Sequence, residues 1–117
     1  MKILYYAHSM ITYGTRKEKQ ELKQIKKHFP DHRIINPAEL RLFGISSYLE
    51  IVRQADIVVL SEYKKHIGKG VARELTIANE YDIEKYILRG KNFTRKFSFR
   101  VVDPDDWKIK YAKIVEI

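Results

Sequence analysis

Ala55-Asp56-Ile57-Val58-Val59-Leu60-Ser61, then a loop, then Gly68-Lys69-Gly70-Val71-Ala72-Arg73-Glu74-Leu75-Thr76-Ile77-Ala78, is the stretch that decides the fold. Its first part is an apolar run of strand length, rich in β-branched residues. Its second part opens on two glycines and then repeats apolar residues at helical spacing. The join is therefore a buried strand, a glycine-bearing turn and a helix carrying a carboxylate. In open α/β sheets such a join faces the crevice beyond the carboxyl ends of the strands, where ligands bind.

Working outward toward the amino end, Ser46 or Ser47 is placed to cap a helix whose buried face is Tyr48, Ile51, Val52 and Ala55. Before it, Arg33-Ile34-Ile35-Asn36 is a short strand closed by Pro37. Ile3-Leu4-Tyr5-Tyr6-Ala7 is a continuous apolar run, suited to a central strand covered on both faces. Residues 8–14 form the loop at its carboxyl end. Thr15 with Glu18 makes a capping box opening a helix that runs to about Phe29 and stops at Pro30. Leu22, Ile25, Lys26 and Phe29 form its inner stripe, and the Lys-rich remainder faces water. Asp56, at the amino end of its strand, reads as a turn or cap.

Toward the carboxyl end, the spacing predicts a helix over residues 71–81 with Leu75 and Ala78 inward. Lys85-Tyr86-Ile87-Leu88 is a fourth strand and residues 97–102 a fifth. Residues 103–107 form a turn, and residues 109–115 suit either a strand or a short helix. Strand and helix alternating three times predicts right-handed crossovers. The expected architecture is one α/β domain over residues 1–117, a three-layer sandwich with a mainly parallel sheet of about five strands.

The chain has 117 residues, 44% hydrophobic, and no cysteine. Disulfides and thiolate metal sites are thereby excluded, and a reducing, cytoplasmic setting fits. No apolar run approaches the roughly 20 residues of a membrane span. Lys and Arg total 23 against 15 for Asp and Glu, a formal net charge of +8. That excess favours a phosphorylated or polyanionic partner. It equally suits the charged surface of a thermophile's protein.

Gly68 and Gly70 bracket the turn, where a glycine allows unusual dihedrals or close approach of a ligand. The amides of Val71, Ala72 and Arg73 are then free donors at a helix start, able to face an anion. Glu74 falls in or just after the first turn, where the helix dipole favours the ionised form. An ionised carboxylate beside an anion pocket suits a glycosyl-transfer nucleophile; it equally suits a helix that is merely stabilised by an acid. His8, Ser9 and Tyr13 follow the first strand and should face the same crevice. Lys65, Lys69 and Arg73 surround the expected anion site. The four histidines show no metal-ligand spacing, and neither a Walker loop nor a serine nucleophile elbow is present.

Residues 55–60 followed by Gly68-x-Gly70-Val71-Ala72-Arg73-Glu74-Leu75-x-x-Ala78, with Tyr6-Ala7-His8-Ser9-Met10 after the first strand, resemble the nucleoside 2-deoxyribosyltransferase superfamily. That group includes the 2'-deoxynucleoside 5'-phosphate N-hydrolases. The resemblance covers about residues 2–88 in element order, and its specific part is the Gly-x-Gly-x-x-x-Glu block. It implies Glu74 as nucleophile in cleavage or transfer of an N-glycosidic bond, through a covalent glycosyl-enzyme. It implies a nucleoside or nucleotide substrate, a 5'-phosphate held by basic residues, and no cofactor. Assembly into dimers or larger, with a neighbour completing the pocket, is also implied.

The chain departs from that pattern twice. Tyr48, with Glu50 nearby, stands where the hydrolases carry an aspartate, and a phenol is a poor acid near neutrality. His8 stands where the family usually has a small residue; an imidazole there suits binding or protonating a base. Tyr13-Gly14 is similar to an aromatic-glycine pair that covers the sugar in some members. Phe97, Phe99 and Trp107 suit either a subunit interface or the core. The departures also fit a non-catalytic nucleotide-binding or sensing module. A nucleic-acid-binding role driven by charge is disfavoured, since basic and acidic residues alternate and no reader motif is present.

Overall fold

The computed structural model describes residues 1–40, 45–95, 99–102 and 111–116. Eight strands are described: β1 (Lys2–Ala7), β2 (His32–Ile35), β3 (Ile57–Ser61), β4 (Ile67–Gly68), β5 (Glu84–Arg89), β6 (Asn92–Arg95), β7 (Phe99–Val102) and β8 (Tyr111–Glu116). The α-helices are α1 (Arg16–His28), α2 (Ile45–Arg53) and α3 (Lys69–Glu80).

The main sheet has the order β2-β1-β3-β5-β6. Its first four strands run parallel, with Leu4 opposite both Ile34 and Ile57, and Val58 opposite Lys85. The fifth, β6, is antiparallel to β5, so the sheet is mixed. This hairpin turns at Gly90, whose φ of +63° suits a glycine. A second sheet of three strands, β4-β8-β7, is wholly antiparallel.

Strand alternation sorts the core into two clusters. Leu4, Tyr6, Ile57 and Val59 pack with Ile25 and Phe29, from α1 and its end. Tyr5, Ala7, Val58 and Leu60 pack with Val52 of α2, Val71, Leu75 and Ala78 of α3, and Ala112 and Ile114 of β8. Tandem tyrosines on β1 therefore project to opposite faces, and both are fully buried.

Several boundaries differ from the sequence reading. The predicted fifth strand at residues 97–102 does not extend the main sheet: its described part, β7, pairs with β8 in the second sheet. β6 takes the edge of the main sheet instead, because the turn at Gly90 is tight enough to fold β5 back on itself. The described part of the segment at 109–115 is strand, β8. Ser46 and Ser47 lie inside α2, which begins at Ile45, and are not its caps. α3 begins at Lys69, two residues early, because Gly68 serves as its N-cap. Lys26 is exposed and not on the inner stripe of α1; Glu18 and Glu21 are buried there with Ile25. Phe99 is 8% exposed within the core, which settles its role as packing. Phe97, Trp107 and the turn at 103–107 lie outside the described residues.

Asp56 does act as a clamp. Its carboxylate accepts from the Ile3 amide at 2.7 Å, and its own amide donates to the Ile3 carbonyl at 2.9 Å, pinning β1 to the start of β3. Among the described residues no helix is long and apolar enough to cross a membrane.

Candidate functional site

β2 and β3 lie on opposite sides of β1, so the strand order reverses between β1 and β3. Past their carboxyl ends lie His8 to Thr15 from one strand and Glu62 to His66 from the other. In doubly wound sheets this reversal opens the crevice used for ligands. The first loop is tightly tied: Thr12 Oγ1 donates to the Ser9 carbonyl at 2.8 Å, and Thr15 Oγ1 donates to the Thr12 carbonyl at 2.6 Å. These bonds fix Tyr13 without any help from a ligand.

Glu74 lies in the second turn of α3 and is 6% exposed. Burial pushes its carboxyl up from 4.5 to about 7, while the Tyr5 phenol works in the opposite direction. The helix dipole does not dominate here, because Glu74 is a full turn beyond the free amides. The Tyr5 hydroxyl is sealed from solvent and completes no hydrogen bond. It nonetheless lies close enough to Glu74 for each group to shift the other's titration. Tyr5 and Tyr13 both have raised phenol pKa values, first from burial and then from the Glu74 charge. Tyr48 acts electrostatically on both of them, and its hydroxyl donates to the Leu40 carbonyl at 3.0 Å. Glu74 thus lies beside the phenols of Tyr5 and Tyr13, which in turn lie near that of Tyr48.

His8 and Ser9 are buried at the end of β1. The His8 ring stacks on Tyr6 with centroids 3.8 Å apart and tilts against Tyr13 at 4.7 Å. His8 Nδ1 lies 3.0 Å from the Tyr6 carbonyl and so donates to it; Nε2 lies 2.7 Å from Glu18 Oε2. With Nδ1 donating, Nε2 either donates as imidazolium or accepts from a protonated Glu18. Both ring nitrogens are occupied within the protein, which leaves none for a ligand while the Glu18 bond holds.

A second buried carboxylate lies beside that pair. Glu21 accepts from the Tyr6 hydroxyl at 2.6 Å, from Ser61 Oγ at 2.6 Å and from Lys17 Nζ at 3.3 Å. Glu18 also accepts from the Gly14 amide at 3.2 Å, and φ at Gly14 is +73°. The capping box thus closes one residue upstream of its usual place: Glu18's own amide still donates to Thr15 at 3.4 Å.

The remaining expected residues are less engaged. Gly68 has φ of −72°, and a Cβ there would meet Ser9 Oγ at an ordinary 3.8 Å. Gly70 is the second residue of α3, so the free helix-start donors are Lys69, Gly70 and Val71, not the amides of residues 71–73. Arg73 is exposed and makes no ion pair among the described residues. Lys65 lines a different cleft. Sequence reasoning missed Tyr5, Tyr6, Glu21 and Ser61 as polar site residues. The available signal was the spacing of Glu18, Glu21, Ile25 and Phe29, which puts two acids on the inner stripe of α1.

Among the described residues no group of three or more His, Asp or Glu could hold a metal ion. The chain matches no family model, no curated protein and no solved structure.

Proposed function

We propose that the protein cleaves or transfers the N-glycosidic bond of a nucleoside or nucleotide, with Glu74 as the nucleophile, in a three-layer fold of the nucleoside deoxyribosyltransferase type. The observation that carries this reading is a buried carboxyl poised near pH 7 with the phenols of Tyr5 and Tyr13 close by, beside the point where the strand order reverses. A desolvated carboxylate is a stronger nucleophile than a hydrated one.

In the reaction, ionised Glu74 attacks the anomeric carbon, forming a C–O bond as the C–N bond breaks. The electron pair leaves with the base, which takes a proton from solvent or a hydrogen bond from a nearby phenol, Tyr48 or Tyr13. Water then attacks the glycosyl ester, releasing the sugar and regenerating the carboxylate. Transfer replaces that water with a second base. Tyr5, facing Glu74, stabilises the carboxylate as it leaves the sugar. Assembly into a dimer or larger, with a neighbour completing the pocket, belongs to the same proposal.

The test is incubation with deoxynucleosides and their 5'-phosphates, with free base followed by chromatography. Release is expected to rise as pH passes through about 7, as Glu74 ionises. Glu74→Gln is expected to lower it by about 10³-fold or more. Release that survives Glu74→Gln overturns the assignment. A second reading, a nucleotide-binding module without catalysis, is favoured by the low exposure of Glu74 and by the full engagement of His8. It predicts saturable nucleotide binding with no base released.

A further inference from the structure

A cleft of about 440 Å³ opens between the ends of β3 and β5, the start of α1, and β8. Among the described residues four cations, Lys17, Lys65, Arg89 and Lys113, line it with one carboxylate, Glu62, over a floor that includes the buried Leu88 and Ile114. It shares no lining residue with the Glu74 group.

The charges in this cleft are unevenly matched. Glu62 is taken up by Arg89 Nε at 2.7 Å, and Arg89 also lies 3.7 Å from Glu116. Lys17 is held by Glu21. Lys65 and Lys113 make no ion pair among the described residues. Two ammonium groups that pair with no carboxylate among the described residues thus share one concavity, an arrangement that an anion relieves.

The backbone holding Lys65 is constrained. Tyr63 and His66 exchange backbone hydrogen bonds at 2.8 and 2.9 Å across a two-residue turn. Its central residues, Lys64 and Lys65, have φ of +49° and +64°. Hairpin turns of this kind usually carry Asn and Gly, because other side chains are strained there. Local strain of this sort concentrates at sites that bind or react.

We propose that this cleft binds a small phosphate-bearing molecule, with phosphoryl oxygens on Lys65 and Lys113. The volume lies within the roughly 300–1,000 Å³ of small-molecule sites. A nucleic-acid strand is the poorer fit, because the cations come from four separate segments and do not follow one rail. The site stands or falls independently of catalysis at Glu74.

Titration calorimetry of the full chain with inorganic pyrophosphate tests this, at low and at high salt. Saturable binding weakened by salt is expected. Lys65→Ala with Lys113→Ala should weaken it by about tenfold or more, while Lys23→Ala with Lys27→Ala on the exposed side of α1 should leave it unchanged. Glu74→Gln should also leave it unchanged. In the wild-type protein, amide shifts on adding pyrophosphate should concentrate at residues 62–66 and 112–114. Absence of saturable binding, equal loss in the α1 variant, or loss on Glu74→Gln each overturns the proposal. So does binding of a single-stranded oligonucleotide that pyrophosphate fails to displace.

Discussion

Glu74 couples stability to pH in a direction opposite to most surface acids. Its carboxyl is raised from 4.5 to about 7 by burial. Below about 4.5 the group is neutral whether folded or unfolded, and its burial costs no ionisation energy. Between about 4.5 and 7 the unfolded chain ionises and the folded one does not, so stability falls as pH rises and levels off above 7. The loss is about 3 kcal/mol at one pKa unit per 1.36 kcal/mol. Glu74→Gln removes that dependence. Its stability relative to wild type should therefore improve from pH 5 to pH 8 by that order, read from denaturant melts at both pH values. An unchanged difference would mean the carboxyl is not buried. The sequence disclosed Glu74 as a candidate, but not its state: a helix pattern shows spacing, whereas desolvation depends on what packs over it.

At the scale of elements, α1 is fastened by two acids where a helix usually offers aliphatic side chains. Glu21 receives bonds from Tyr6, Ser61 and Lys17, which tie α1 to β1 and β3. Glu21→Ala strands two buried hydroxyls and should cost about 3–4 kcal/mol, at about 1–3 kcal/mol per unsatisfied group. Glu21→Gln, which keeps part of the network, should cost less; thermal melts of the two variants rank them. The β3–β4 turn offers a converse case. Lys64→Gly relieves a φ of +49° and should stabilise the fold by about 1 kcal/mol, offset in part by the added freedom of the unfolded chain. A lower melting temperature for that variant would show that the turn is unstrained. Periodicity locates α1, and Thr15 marks its start, yet spacing alone sets Lys26 on the inner stripe, whereas the actual helix rotation leaves it in water.

Across the whole molecule, the second sheet completes the core on the α3 side. Phe99, Ala112 and Ile114 pack with Val71, Leu75 and Leu60 in one cluster. A chain ended after Arg95 should expose that cluster, lose cooperative thermal unfolding and bind a hydrophobic dye; a sharp, unshifted melt would mean that β7 and β8 contribute nothing to the core. The sequence by itself determined the parallel β1, β2, β3 and β5, the three intervening helices and the place of Glu74 on the third of them. Those follow from local apolar period, caps and the handedness of crossovers, which need no knowledge of distant neighbours. Only the tertiary structure decided that β6 caps the sheet edge, that β7 and β8 leave it for a second sheet, that His8 is bound to Glu18, and that Lys17, Lys65, Arg89 and Lys113 converge. Strand pairing and charge convergence join residues far apart in the chain, and no local pattern records which of them meet.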